Sequence, residues 1–268
     1  MLHLHIENVI PQILQDGTYL ELISFTHPAA DYPPSSPQRA KRDSHQWARQ
    51  VPGWVAFSFL GAPSASPSIS AIINSRAERD GRDVRYASEV AGGRRRGDGV
   101  ELKWEITAPE KWQEKTTQVP FFCGDVTSRS LRVLLEPKSN WHHPNGSNSV
   151  AHLTILTPQA SLDDVSKDLQ SILGDHPITL SASTHVWLLD PLPDVNKGKP
   201  PEWHPRLILQ AANEGDEDEV TFLQAHGPGL YEVAFRTSGG ETGSTKTPYG
   251  KVSWVGADVE NSAVLSNV

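Results

Sequence analysis

One alternating stretch after a glycine turn constrains the fold of this chain most. Residues 92–106 read GGRRRGDGVELKWEI, in which Gly97, Asp98 and Gly99 tolerate the positive φ angles of a tight turn. After the turn, every second residue is apolar (Val100, Leu102, Trp104, Ile106), and those between them are charged (Glu101, Lys103, Glu105). Side chains alternate between the two faces of a strand. The stretch therefore predicts a β-hairpin in a sheet with one apolar and one charged side.

Two more motifs follow this hairpin in order: VPFFCGDVTSR at residues 119–129 and HPNG at residues 143–146. With GRRRGDGVELKW at residues 93–104, they resemble the GRRRPDGxELxW, PFFxxDxTPR and HPxG pattern of the glyoxalase-like proteins of fungi and bacteria, within the vicinal oxygen chelate superfamily. The resemblance extends back to DGTYLELI at residues 16–23 and forward to TPYGKV at residues 247–252. The chain departs from the pattern at Gly97 and Ser128, where the family usually has Pro.

The resemblance implies an α+β fold of the glyoxalase/bleomycin-resistance/dioxygenase-like type. Such folds repeat β-α-β-β-β modules, whose curved mixed or antiparallel sheets surround a cavity. We expect residues 1–147 to hold two modules, the first without its opening strand and helix. Residues 148–256 are expected to form a third module, and residues 257–268 a flexible tail.

Hydrophobic periodicity and turn signals place the elements within these modules. The predicted strands are 7–14 and 18–25, which form a hairpin, then 54–60, 119–125, 150–156, 185–189, 206–211, 229–237 and 251–255. Helices are predicted at 69–79 and 161–173, the second with Ser161 as N-cap, Asp164 completing a capping box and Gly174 as the stop. The segments 190–205 and 213–219 are expected to be solvated loops, the second strongly acidic.

Composition narrows the possible partners. A net charge of -8 over 268 residues argues against nucleic-acid binding, which requires a basic face. The single cysteine, Cys123, excludes an intrachain disulfide framework, and neither a membrane-spanning apolar run nor a signal pattern is present. We therefore expect a cytoplasmic protein that binds a small molecule, with no nucleic acid and no membrane. The incomplete first module would leave an apolar face uncovered, which predicts a homodimer.

Glu21 is the first candidate for chemistry. It shares a predicted strand face with Tyr19, Ile23 and Phe25, where an ionised carboxylate is costly unless it is paired or bound to metal. In the superfamily, the last strand of a module resembles this segment and contributes a Glu ligand. The alternative is a structural glutamate held by an arginine.

Histidines supply the second set of candidates. His143 matches the family's HPxG motif and is predicted to be catalytic as a base, a ligand or a substrate contact, with a turn-capping imidazole as the alternative. His152 lies on a predicted strand with Thr154 on its face, and either contacts a ligand or is structural. His3 and His5 form a His-x-His pair to which no role is assigned. A divalent metal fits the superfamily, but these donors make an incomplete ligand set, so no metal residue is assigned.

The remaining candidates concern an anionic substrate. Arg94, Arg95 and Arg96 either clamp a carboxylate or phosphate or form a solvated hairpin end. Strand alternation would place Arg95 on the face opposite Arg94 and Arg96. Lys103 and Phe122 are assigned to substrate binding with the three arginines. Asp125 and Arg129 are expected to pair with each other or with the hairpin arginines, as support for the GDVTSR motif.

The resemblance does not identify a reaction, because one scaffold in this superfamily hosts lyases, isomerases, epimerases, dioxygenases and drug-sequestering proteins. The leading hypothesis is a lyase or isomerase of a small oxygenated metabolite, with Glu21 and His143 together as its polar centre and the hairpin arginines orienting an anionic group. A non-catalytic small-molecule-binding protein is the first alternative, and a metal-dependent dioxygenase is the second.

Overall fold

The structure of the chain is a computed structural model. It describes residues 10–192 except 26, 46, 49, 112, 113, 115 and 116, and then residues 204–239 and 242–256. The predicted strand start at residues 7–9, His3 and His5, most of the 190–205 segment and the predicted tail at 257–268 therefore lie outside the described residues.

The described residues form a mixed α+β fold with thirteen strands. In chain order the strands are β1 Ile10–Ile13, β2 Tyr19–Leu22, β3 Ser58–Leu60, β4 Val90–Arg95, β5 Glu101–Thr107, β6 Phe121–Asp125, β7 Ser147–Thr157, β8 Ile178–Ser181, β9 Thr184–Leu188, β10 Arg206–Ala211, β11 Gly229–Thr237, β12 Gly243–Thr247 and β13 Gly250–Gly256.

Four α-helices are found in the described part of the chain: α1 Pro37–Asp43, α2 Ile69–Arg79, α3 Leu162–Leu173 and α4 Glu217–His226. The α2 helix has the predicted bounds. Its start is set by Ser68, whose Oγ accepts a hydrogen bond from the backbone N–H of Ala71 at 3.3 Å. No described helix is long and apolar enough to cross a membrane.

The strands make three sheets. The order is β1-β2 in the first, β3-β6-β5-β4 in the second, and β12-β13-β11-β7-β10-β9-β8 in the third. A β-α-β-β-β succession occurs twice, as β3-α2-β4-β5-β6 and as β7-α3-β8-β9-β10, each time with its first and last strands paired in parallel. After Ala211, β11, β12 and β13 extend the large sheet on the other side of β7. This arrangement is the α+β fold that the resemblance implied.

The hairpin in residues 90–107 is confirmed. Its strands β4 and β5 pair antiparallel with Arg95 opposite Glu101, and Gly99 has a φ of 86° in the turn. Leu102 is 1% exposed, whereas Glu101 and Lys103 face solvent. The alternating pattern therefore assigned the two faces of this strand correctly.

The predicted helix stop at Gly174 is also confirmed, because this residue adopts a φ of 87° after α3. Ser161 stands at the predicted N-cap position, directly before the helix, but the capping hydrogen bond expected of it is absent. Ser161 has a ψ of -6° and makes no capping hydrogen bond, because a 3-10 turn at Gln159–Ser161 runs directly into the helix.

The acidic segment at 213–219 is not simply a solvated loop. Helix α4 begins at Glu217, after Asp216 Oδ1 accepts hydrogen bonds from the backbone N–H groups of Asp218 and Glu219. Glu219 is buried and accepts hydrogen bonds from the Asn213 backbone N–H and the Gln210 amide. Strands β8 and β12 were not predicted, and β3 begins four residues later than predicted.

Helices α2 and α3 pack together and join the second and third sheets. Ile73 and Ala77 of α2 share one buried core with Leu169 and Ile172 of α3. At the edge of this contact, the Arg82 guanidinium, beyond α2, reaches two carboxylates of α3. The two β-α-β-β-β units are therefore held back to back through their helices.

Candidate functional site

A large cavity lies where the three sheets meet. Its volume is about 1340 Å³, and its wall includes residues of β2, β3, β5, β6, β7 and β11. The segments 45–57, 129–133 and 189–192 complete the wall. Small-molecule sites usually measure about 300–1,000 Å³, so this cavity has room for a ligand and its surrounding water.

The cavity wall combines aromatic and cationic side chains. Its aromatic residues are Tyr19, Phe25, Trp47, Trp54, Phe57, Phe59, Trp104 and Phe121. Its arginines are Arg94, Arg129, Arg132, Arg206 and Arg236, and its carboxylates are Asp16, Glu21 and Asp190. Among the described residues, the wall therefore carries more positive than negative charge, although the whole chain has a net charge of -8.

Glu21 lies on β2 and faces this cavity. Burial raises the pKa of its carboxyl group above the ordinary value of 4.5, and the nearby guanidinium groups of Arg132 and then Arg94 oppose this rise. The cavity is open, so solvent still reaches the side chain. The result is an accessible carboxylate that is more basic than one in bulk water.

A cluster of ion pairs holds Arg132 next to β2. Its Nε lies 2.8 Å from Asp125 Oδ1, and its Nη1 donates to the Tyr19 hydroxyl at 3.0 Å and contacts Cys123 Sγ at 3.2 Å. Arg129 Nη1 donates to the other oxygen of Asp125 at 3.0 Å. One carboxylate of the GDVTSR motif thus fixes two cavity arginines, and the predicted pairing of Asp125 with Arg129 is confirmed.

Arg94 alone of the three hairpin arginines lines the cavity. Arg95 points to the other side and pairs with Glu101 at 2.8 Å, as the alternation predicted. Arg96 binds Asp98 in the turn and donates to the backbone carbonyl of Leu131 at 2.8 Å. The structure therefore does not bring all three arginines to one ligand site, and the predicted clamp of three arginines is wrong.

Trp104 packs over β4 close to Arg94. A methyl group added to Gly92, its partner in the register, would lie 2.2 Å from the Trp104 Nε1. The glycine therefore makes room for the indole on this face of the hairpin. Lys103 is on the opposite face, 61% exposed, with its Nζ 3.7 Å from Glu101.

The other predicted site residues lie outside the cavity wall. His143 Nε2 donates to the backbone carbonyl of Ile13 at 2.8 Å, so it ties the HPNG turn to β1. His152 Nε2 lies 3.8 Å from Glu232 on β11. Phe122 packs edge-on against Phe59 and against Tyr86 in the core. The structure thus brings Glu21 and Arg94 together, but not His143, His152, Lys103 or Phe122.

Of the cavity residues that were not singled out from the sequence, Tyr19 and Arg132 bear most directly on Glu21. Tyr19 could have been found, because it is two residues from Glu21 on the same predicted strand face. Arg132 follows the GDVTSR motif by three residues, and no pattern in the sequence distinguishes it from other arginines. Its place depends on the fold, which brings the 129–133 segment against β2.

The superfamily's divalent metal has no suitable set of donors in the described part of the chain. Nowhere in it do three or more His, Cys, Asp or Glu side chains come together in a metal-binding arrangement. Zinc and iron sites generally need at least three protein ligands. The charged groups that act on Glu21 are the guanidinium groups of Arg132 and Arg94, which repel a cation. The described residues therefore do not fit a metal centre.

Comparison with solved structures supports the fold. A hypothetical protein from Staphylococcus aureus aligns with a TM-score of 0.53 at 8% identity, over 92% of this chain and 84% of that one. A 4-hydroxymandelate synthase variant from Streptomyces coelicolor gives a TM-score of 0.40 at 9% identity, over 90% and 77% of the chains. Methylmalonyl-CoA epimerase from Mycobacterium tuberculosis gives 0.28 at 15% identity, over 43% and 91%. The last two scores are too low to support an inference.

No curated protein matches the sequence. The family model of the glyoxalase-like domain matches residues 3–173, which is more than half of the chain and includes the hairpin, the GDVTSR motif and the HPNG turn. The chain therefore belongs to the glyoxalase-like domain family.

Proposed function

We propose that this protein binds a small organic acid in its cavity and moves a proton on it, as an isomerase or lyase does. One observation carries the proposal: the Glu21 carboxylate lies in an aromatic cavity beside the guanidinium groups of Arg94 and Arg132. The arginines would bind the carboxylate of the acid, and Glu21 would remove a proton from one of its carbon atoms.

The charge of the wall supports an anionic ligand. In a chain with a net charge of -8, five arginines and three carboxylates line the cavity. Arg94 lines the cavity and its charge acts on Glu21, and its planar group can bind a carboxylate through two N–H groups. The surrounding aromatic rings would cover the apolar part of the same molecule.

The environment of Glu21 supports a role as general base. A general base works best when its pKa approaches the operating pH. Burial raises the pKa of Glu21 toward that range, and the positive charges of Arg132 and Arg94 favour the carboxylate form. A proton next to a carbonyl group is the kind that such a base removes.

A non-catalytic binding protein is the second candidate. The observation in its favour is the position of His143, whose imidazole donates a hydrogen bond to the backbone carbonyl of Ile13 and does not line the cavity. Glu21 therefore lacks the partner that the sequence analysis assigned to it. A protein that only sequesters the acid would need the arginines and the aromatic wall, but not Glu21.

Binding can be tested with 2-oxo-4-phenylbutanoate and its neutral primary amide. We expect the acid, but not the amide, to raise the melting temperature. Arg94→Met should weaken binding of the acid by about 10-fold or more, because a hydrogen bond to a charged group is worth about 1.5–3 kcal/mol. Arg95→Met is the matched control: it lies in the same hairpin but outside the cavity. Equal stabilisation by acid and amide would contradict an anion site.

Catalysis can be tested by NMR, as deuterium exchange at C3 of the same acid in D₂O. We expect the wild type to exceed the buffer rate and Glu21→Gln to lose this excess while still binding the acid. Glu101→Gln, an exposed carboxylate outside the cavity, is the control. Binding without exchange above the buffer rate would favour the sequestering protein. If the protein shows no binding of the acid and no exchange above the buffer rate, both candidate functions are rejected.

A further inference from the structure

We propose that Tyr19 is a catalytic acid that works with Glu21 on the same bound molecule. This inference rests on the proposed function and adds a residue to which nothing in the sequence analysis assigned a role. Its basis is the position of Tyr19, which lines the cavity and whose hydroxyl accepts a hydrogen bond from Arg132.

Tyr19 and Glu21 are two residues apart on β2. Alternate residues of a strand point to the same face and lie roughly 7 Å apart along it. Both side chains belong to the wall of the cavity. A small molecule lying along β2 can therefore touch the phenol with one atom and the carboxylate with another.

The hydrogen bond to Arg132 leaves the phenol proton available. Arg132 Nη1 is the donor and the Tyr19 oxygen is the acceptor, at 3.0 Å, since a guanidinium group has no lone pair to accept a proton. Among the described residues, Arg132 is the hydrogen-bonding partner of this hydroxyl. The O–H of Tyr19 can thus be directed at a ligand in the cavity.

The electrostatics suit a donor beside a base. Burial raises the pKa of Tyr19 above its ordinary value of 10, against the opposing charge of Arg132, so the phenol is protonated at neutral pH. Burial also raises the pKa of Glu21, two residues away, from an ordinary value of 4.5, and the charges of Arg132 and Arg94 favour its ionised form. Neighbouring groups with well-separated pKa values take complementary roles as acid and base.

The proton balance is complete without another reactant. In the forward step, the C3–H bond of the 2-oxo acid breaks and its proton goes to a Glu21 oxygen. The electron pair forms the C2=C3 bond, and the carbonyl π electrons move to oxygen, which takes the proton of the Tyr19 hydroxyl. The phenolate that remains is stabilised by the Arg132 guanidinium. The reverse step returns both protons and restores both residues.

The test compares Tyr19→Phe with the wild type in the deuterium-exchange assay, using 2-oxo-4-phenylbutanoate as the probe. We expect exchange at saturating probe to fall by about 100-fold, which is typical of losing a general acid. The dissociation constant, measured by titration calorimetry, should change less than about 3-fold, because Arg94 still binds the carboxylate. Tyr32→Phe, a tyrosine outside the cavity, should behave like the wild type.

The outcomes separate this inference from the proposed function. If Tyr19→Phe exchanges as fast as the wild type while Glu21→Gln does not, Tyr19 is not the acid, but the proposed function stands. If the wild type does not exceed the buffer rate, the proposed function fails and this inference fails with it. If Tyr19→Phe loses exchange and probe binding together, Tyr19 is a binding residue and the acid role is rejected.

Discussion

Glu232 should make the stability of this protein strongly dependent on acid pH. This carboxylate of β11 is only 9% exposed. Its neighbours are the Lys251 Nζ at 3.1 Å, the His152 Nε2 at 3.8 Å and the Ser253 hydroxyl, which donates to it. Burial by itself would raise its pKa, but hydrogen bonds from His152 and Ser253 and the charges of His152 and Lys251 outweigh burial and lower the pKa to about 2.

The direction and size of the effect follow from this shift. The folded pKa is about 2 and the ordinary value is 4.5. The carboxylate therefore stabilises the fold fully above about pH 4.5, by about 3 kcal/mol, and this stabilisation is lost as the pH falls toward 2. Between pH 5 and pH 3 the loss is about 2 kcal/mol.

Urea unfolding of the wild type and Glu232→Gln at pH 5, 4 and 3 measures this directly. We expect the free-energy difference between the two proteins to shrink by about 2 kcal/mol from pH 5 to pH 3, because glutamine does not titrate. Ser253→Ala, which removes one of the hydrogen bonds, should show an intermediate dependence. If the wild type and Glu232→Gln lose stability in parallel, the carboxylate is not held ionised as described.

Three further predictions concern packing, metal and association. In urea unfolding, Gly124→Ala should destabilise the fold by about 1–3 kcal/mol, because the added Cβ would lie 2.5 Å from the Pro63 ring. Gly97→Ala is the control and should not destabilise the fold, because no atom of a described residue beyond its chain neighbours lies within 4 Å of its added Cβ. Equal effects of the two substitutions would contradict this packing. Titration calorimetry with zinc, nickel, manganese and ferrous iron should give no sub-micromolar affinity, and such an affinity abolished by Glu21→Gln would reveal an overlooked ligand set. Analytical ultracentrifugation should detect a dimer that Leu22→Ser weakens, because Leu22 on β2 is 56% exposed; a monomer at high concentration would refute this.

Much of the fold could be predicted because its signals are local. Helix α2 begins at a capping serine and carries apolar residues at helical spacing, and α3 ends at a glycine with positive φ. The 229–237 strand was predicted with its true bounds, because it is a continuous run of residues that suit a strand. Helix α4 was missed because its acidic first turn looks like a solvated loop, and the burial of Glu219 depends on a partner on β10.

The candidate site could be predicted only in part. Alternation along β2 indicated that Glu21 shares a face with Tyr19, and alternation along β4 separated Arg94 from Arg95. The family motif at His143 was read as chemistry, but the imidazole donates to a backbone carbonyl of β1. A motif shows that a residue type suits a position, and it does not distinguish a ligand contact from a structural hydrogen bond.

The sequence by itself determined the family, the α+β class and the faces of individual strands, because these depend on neighbours along the chain. Only the tertiary structure decided which charges meet. Arg132 reaches Tyr19 across 113 residues of chain, and Arg129 reaches the carbonyl of Gly17 across 112. The pKa of a buried carboxyl group depends on such distant partners and on the exclusion of water, and neither can be read from local periodicity. The chemistry of Glu21 is therefore a property of the folded chain.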